Sequence, residues 1–334
     1  MVCSLCLRRS AVLAAAAPAL ARRSPLHEQW LLGVLGLPNE GLLRAVRAKD
    51  PHWILRRLRL PELTDSVPTA LCCHDAGYPR TLLQLPNAPA VLYATCSAER
   101  LRELLAPASP RVAIVGGRGL TPYAQQITRA MTEGLARAGV TVVGDVNEGP
   151  EGIAHEGALA GAGRSIAVMA CSPDLSHLTR QDSLHQRILA AGAAVSEFPP
   201  GFFQPQRWSF IASRRIVPAL ADVVVIVEAG GFTHSALSTK IAVELGRDIA
   251  VVPGRVTDPS GERILRLLQD GAHPVASAEH VLEVLNGAGL RGPALHDPAP
   301  HELADDPTMS GPVLHDPALH APAFHDPALH EVAA

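Results

Sequence analysis

The chain has few aromatic residues, almost no lysine and no long apolar run past its first segment, and each shortage excludes something. Aromatics make up 4% of the 334 residues while hydrophobic residues reach 47%. A core of that size must be filled by Ala, Val, Leu and Ile, the usual filling of a parallel sheet covered by helices. Lys49 and Lys240 are the only lysines among 29 basic residues; this is the coding bias of a high-GC genome, and no function follows from it. Beyond the N-terminal segment, no stretch approaches the ~18 apolar residues needed to cross a bilayer. The six cysteines lack the spacing of a disulfide framework, so reduced thiols and a cytoplasmic location are expected.

A large excess of either charge is also lacking. The net charge is −3, and it is uneven: residues 1–110 carry 13 basic and 8 acidic groups, 111–285 carry 15 and 17, and 286–334 carry 1 and 7. A nucleic-acid footprint, if the chain has one, must be local.

The opening segment, Met1 to Leu20, places Arg8 and Arg9 before an Ala-rich apolar run. That pattern superficially suggests a secretory signal, but Cys3 and Cys6 precede the run, and an amphipathic or buried helix is the expectation. Two thiolates spaced as Cys3-x-x-Cys6 can share one metal ion. No second half is visible, and Cys72 and Cys73 would supply one only by tertiary arrangement. The expectation is therefore unligated thiols, with no metal and no cofactor.

From Pro25 to about Leu63, apolar residues at Trp30, Leu31, Val34, Leu35, Leu42, Leu43, Val46, Ile54, Leu55 and Leu58 read as short helices punctuated by Gly and Pro. Gly33 to Pro38 is too generic to assign to a DNA-backbone-binding helical hairpin, and support by packing or dimerisation is the preferred reading. The Val112–Val115 strand stops at Gly116-Gly117-Arg118, and Ile127, Ala130, Met131, Gly134, Leu135 and Ala138 then share one helical face. Strand, glycine turn and helix open a βαβ unit.

The alternation repeats through strands at Val140–Val143, Ser165–Ala170, Ala193–Ser196, Val223–Val227 and Ile249–Val252. Helices are expected at Gly152–Ala162, Leu184–Ala191, Ile211–Leu220 and Ala236–Leu245. The fold class expected is α/β, a Rossmann-like, doubly wound, mostly parallel sheet. Three near-copies of a His-Asp-Pro-Ala hexamer begin at His296, His315 and His325, and such frequent proline marks a disordered low-complexity tail. The expected divisions are residues 1–69, a small helical domain; 70–285, the Rossmann-like domain; and 286–334, the tail.

Cys73-His74-Asp75, Tyr78-Pro79, Pro89 and Val91-Leu92-Tyr93 follow one another in an order that resembles the lead-in of the DprA/Smf family. The likeness continues through Gly116-Gly117-Arg118, Thr121-Pro122-Tyr123, Gly139 to Val143, Ala154-His155, Ser196 to Gly201, Val227-Glu228-Ala229, Leu245-Gly246-Arg247, Val252-Pro253-Gly254 and Asp270-Gly271-Ala272. The resemblance covers roughly residues 70 to 285, and the Cys3 to Arg9 start is also similar to that of some high-GC members. It implies a non-catalytic protein that protects single-stranded DNA during natural transformation, dimerises through the Rossmann-like domain and helps load the recombinase RecA, with no role at a membrane. The tail has no helical periodicity from which to form the C-terminal winged helix found in some members.

Glycines at a strand end let a phosphate approach the backbone, helix-start N–H groups point at it, and arginine supplies a fork of donors. Gly116, Gly117 and Arg118 fit that use. Trp208 to Ile216 resembles a family segment with basic residues facing DNA; Ile211, Ser213 and Arg214 depart from it while Arg215 matches. The candidate DNA or phosphate contacts are Gly116, Gly117, Arg118, Arg180, Arg214, Arg215, Ser235 and Lys240.

Against them stand Asp145, where the family usually has glycine, and Glu148, where a basic residue is common. Carboxylates beside a phosphate at 4 to 6 Å cost on the order of 1 to 4 kcal/mol. His155 fits a packing or hydrogen-bonding role as readily as that of a ligand. Two other readings stay open. One is a nucleotide-binding or nucleotide-hydrolysing enzyme of the lysine-decarboxylase-like group, from Glu228-Ala229-Gly230-Gly231; the other is a relative that has lost DNA binding and serves as an interaction module.

Overall fold

The computed structural model describes residues 2–21, 35–39, 41–42, 68–117, 119–146, 149–173, 182–200, 205, 207–228, 234–258 and 260–287. Most of the helical pattern expected between Pro25 and Leu63, and the whole His-Asp-Pro-Ala tail, lie outside these residues.

The apolar runs fold into one nine-stranded sheet: β1 Thr69–Cys72, β2 Val91–Ala94, β3 Arg111–Gly116, β4 Thr141–Asp145, β5 Ser165–Val168, β6 Ala193–Ser196, β7 Val223–Val227, β8 Asp248–Val251 and β9 His273–Pro274. Their order across the sheet is β1-β2-β6-β5-β4-β3-β7-β8-β9. Strands β3 to β9 are mutually parallel, whereas β2 pairs antiparallel with both β1 and β6. The helices are α1 Ser4–Ala21, α2 Ala98–Leu104, α3 Pro122–Arg137, α4 Pro150–Ala160, α5 Asp182–Ala191, α6 Arg207–Arg214, α7 Ile216–Leu220, α8 His234–Glu244, α9 Gly261–Gln269 and α10 Ala278–Leu285.

The alternation of side chains along each strand divides the core into two layers. Val112 and Ile114 of β3 join Met131 and Leu135 of α3, Ala154 and Ala158 of α4, and Val281 of α10. Ala113 and Val115 join Trp208 and Ile211 of α6, Ile216 of α7, and Leu237 and Ile241 of α8. The chain moves from β3 to β4 in one direction and from β7 to β8 in the other, so right-handed crossovers place α3 and α8 on opposite faces. The fold is the doubly wound, Rossmann-like sheet read from the sequence. The helix expected as one piece over Ile211–Leu220 is broken at Arg215 into α6 and α7.

Helix α1 buries Cys6, Ser10, Ala11, Val12, Leu13 and Ala16, and its Ser10 hydroxyl meets the Tyr93 hydroxyl of β2 at 2.8 Å. This is the buried helix expected of the opening segment. Among the described residues no helix is long and apolar enough to cross a membrane. The β1–β2 connection is set by its own side chains: the Asp75 carboxylate accepts the Gly77 N–H at 2.8 Å, and the Tyr78 hydroxyl donates to the Pro89 carbonyl at 2.6 Å.

Candidate functional site

In an open parallel sheet, ligands gather outside the carboxyl ends of the strands, where the winding direction reverses. Here the reversal lies between β3 and β7, paired through Gly116 and Val227. A Cβ on Gly116 would lie 2.2 Å from the Val227 carbonyl oxygen and 3.0 Å from Pro150 Cγ. Glycine is therefore required by the close approach of three chain segments, and Gly116 and Gly117 are both buried. Gly117 then donates its N–H to the Glu228 carbonyl at 2.9 Å.

Glu228, just past β7, holds a left-handed backbone at φ 49°, a conformation that costs a non-glycine residue on the order of 1 to 3 kcal/mol. Its carboxylate returns a bond for it, accepting the Thr121 N–H at 2.9 Å and the Thr121 hydroxyl. Thr121 is also the N-cap of α3, accepting the Ala124 N–H at 3.2 Å ahead of Pro122 at the first helical position. The turns after β3 and β7 are thus laced to one another.

Beneath the glycine turn the chemistry is acidic. Asp145 ends β4 and is buried, and Glu151 stands in the first turn of α4 behind Gly149 and Pro150. Burial of its carboxyl, then the neighbouring Asp145 carboxylate, push Glu151 well above the usual carboxylate range; the Arg214 guanidinium and backbone N–H groups, Gly116 among them, oppose this only in part. The pair consequently tends to hold a proton near neutrality. The positive end of α4 is met by Glu151, so an incoming anion competes with this carboxyl.

His155 fixes the floor. It is fully buried; burial lowers its pKa to about 4, and the neutral ring donates from Nε2 to the Asp145 carbonyl at 3.2 Å. Nδ1 is left to accept from the Ser165 hydroxyl at 2.5 Å. The ring is thereby bonded to the end of β4 and the start of β5, which is a packing and hydrogen-bonding role.

The candidate contacts are distributed as follows. Gly116 and Gly117 form the turn. Arg214 is buried at 6% exposure with its charge felt by Glu151. Arg215 requires a correction: it is 2% exposed, and its guanidinium meets both oxygens of Glu197 at 2.5 and 2.7 Å while donating to the Asn87 carbonyl at 3.0 Å and to the Ala212 carbonyl. It is not available to a phosphate, because the break between α6 and α7 turns it inward. Trp208, edge-on to Phe198 at 5.4 Å, holds α6 against the residues that follow β6.

Lys240 is exposed and lies 3.8 Å from Glu244 on its own helix. Ser235 falls in the first turn of α8, with its side chain outside the described residues, as are Arg118, Arg180 and Glu148. Reasoning from the sequence passed over Glu151 and the Thr121–Glu228 pair. Thr121-Pro122 is a legible cap signal, whereas nothing local to Glu151 announces its meeting with Asp145.

Comparison with known proteins bears on the same region. The family model of DNA recombination-mediator protein A matches residues 69–286. The chain is 31% identical over 226 residues to the Smf protein of Synechocystis, a match covering 68% of this chain and 56% of that protein; the chain thus spans little more than half of that relative's length. Among solved structures, DNA processing protein A of Streptococcus pneumoniae superposes with a TM-score of 0.62 at 26% identity, covering 78% of this chain and 94% of that one. DNA processing protein A of Helicobacter pylori, a structure described for its single-stranded DNA binding mode, gives 0.56 at 29% identity over 66% and 97%.

Proposed function

The chain belongs to the DNA recombination-mediator protein A family, and from that membership we propose that it binds single-stranded DNA at the crevice between the ends of β3 and β7. Its role on this reading is non-catalytic, in DNA processing during natural transformation and recombination. The observation that carries the proposal is the reversal of winding between β3 and β7, which sets the Gly116-Gly117 turn at the carboxyl ends of the parallel strands. Ligands of open parallel sheets gather outside such a reversal, and the start of the following helix favours an anion there. The H. pylori relative's single-stranded DNA binding mode supports the same ligand class.

In this proposal Gly116 and Gly117 present the backbone, Arg118 is the first cationic contact, and Arg180, Ser235 and Lys240 lie along the strand's path. Arg214 acts from beneath, by offsetting the acidic floor. Residues 1–69 support the Rossmann-like domain of residues 70–285, which forms a homodimer and hands DNA to RecA, while residues 286–334 serve as a solvated tail.

The test is fluorescence anisotropy of a labelled single-stranded oligonucleotide with wild type and Arg118→Ala at two salt concentrations. Salt-sensitive binding is expected, with a slope of about −0.7 in log K per log salt for each phosphate neutralised, and the substitution should weaken it. Absence of binding at low salt would refute the DNA reading. Asp145 and Glu151 favour one second reading, a relative that keeps the fold as an interaction module; capture of RecA without DNA binding would support it.

A further inference from the structure

Sequence spacing presents Cys3 and Cys6 as half of a metal site without a partner, and the fold supplies the other half. Helix α1 begins against the end of β1, so Cys3 and Cys6 meet Cys72 and His74 across more than 60 residues of chain. One ligand atom from each of Cys3, Cys6, Cys72 and His74 lies within 4.8 Å of all the others. His74 Nδ1 is 3.5 Å from Cys3 Sγ and 3.3 Å from Cys6 Sγ. A tetrahedral zinc ion with Zn–S near 2.3 Å and Zn–N near 2.0 Å sets its ligand atoms about 3.5 to 3.8 Å apart, so the group is near the size of a coordination shell.

Chemistry and surroundings agree with that size. Cys6 and Cys72 are buried with Val91 and Tyr93, while His74 is exposed, which leaves an entry path. Four of the six cysteines stand here, because Cys73 Sγ is also 3.5 Å from Cys6 Sγ. That separation is far beyond the ~2.05 Å of a disulfide. Three thiols and an imidazole packed this closely satisfy one another poorly as hydrogen-bond partners, whereas a soft divalent ion bonds all four.

We propose that Cys3, Cys6, Cys72 and His74 bind one zinc ion, a structural site with four protein ligands that clamps the start of α1 to the edge of the sheet. Cys73 is a neighbouring thiol outside the ligand set. The site is distinct from the glycine turn and independent of the DNA-binding proposal.

The full-length protein, purified without a metal-affinity step, would be assayed for zinc by elemental analysis and then, after chelation, titrated with cobalt(II) chloride. About one zinc per chain is expected, together with the intense visible bands of tetrahedral thiolate-bound cobalt and a melting temperature that falls on chelation and recovers with zinc chloride. Cys3→Ser and Cys72→Ser should lose the metal, while Cys73→Ser and Cys96→Ser keep it. Should the serine variants fail to fold, the cobalt spectrum of wild type still decides. A chain without zinc that gives no tetrahedral cobalt spectrum overturns the proposal, as does a Cys6–Cys73 disulfide in its place. Loss of metal from Cys73→Ser with retention by Cys72→Ser overturns this ligand set.

Discussion

Replacing Arg215 by alanine should unfold this protein more readily rather than merely weaken its hold on DNA. The guanidinium is 2% exposed and faces Glu197 at 5%, and it also serves the Asn87 and Ala212 carbonyls. Its removal strands a buried carboxylate and takes a donor from the Asn87 and Ala212 carbonyls. Breaking a buried pair from one side costs about 3 to 5 kcal/mol. For a domain of this size each kcal/mol moves the melting temperature by about 2 to 4 °C, so a fall of roughly 6 to 20 °C is expected. Thermal and urea denaturation of Arg215→Ala would measure it. The double variant Arg215→Met with Glu197→Leu should recover much of the loss, because an apolar pair carries no unpaired charge. An Arg215→Ala variant that melts within about 2 °C of wild type while losing oligonucleotide affinity would refute the reasoning and return Arg215 to the phosphate track.

Three further outcomes follow from the same geometry. Gly116→Ala should destabilise by about 1 to 3 kcal/mol or more in urea titrations, since its Cβ would meet the Val227 carbonyl at 2.2 Å; Gly254→Ala, with open space around it, should stay within about 0.5 kcal/mol. Oligonucleotide affinity should strengthen as pH falls through about 8, where Glu151 gains its proton, and Glu151→Gln should flatten that dependence; an unchanged pH profile would remove Glu151 from the site. His155 should make the fold sensitive to acid: its folded pKa of about 4 lies below its ordinary 6.5, so the unfolded chain binds the proton first and stability drops between those values. At about 1.4 kcal/mol per pH unit that amounts to roughly 3 kcal/mol, read by comparing wild type with His155→Gln across this range.

The strands β3 to β8 and the helices between them were legible because each is a run of apolar residues with its own period, bounded by glycine or polar residues. Strands β1 and β2, Thr69–Cys72 and Val91–Ala94, went unread because neither belongs to the strand–helix alternation that marks β3 to β8; their strand character comes from the antiparallel pairing of β2 with β1 and β6. Helices α9 and α10 were passed over in the same stretch that yielded the Asp270-Gly271-Ala272 match. The break between α6 and α7 was hidden because Ile211, Ala212 and the run Ile216 to Leu220 read as one apolar helical pattern across Ser213-Arg214-Arg215.

The sequence by itself determined the doubly wound sheet, the glycine turn at Gly116-Gly117 and the family, since these are written in residues near one another along the chain. Tertiary structure alone decided that Arg215 turns inward to Glu197, that Glu151 shares its pocket with Asp145, and that Cys3 and Cys6 meet Cys72 and His74. The first and third depend on which distant segments the fold brings together, and the second on the turn from β4 into α4, which faces two nearby carboxyls toward one another. The free energy of a charge, a proton or a thiol is set by that company and by the water it excludes, neither of which has a period along the chain.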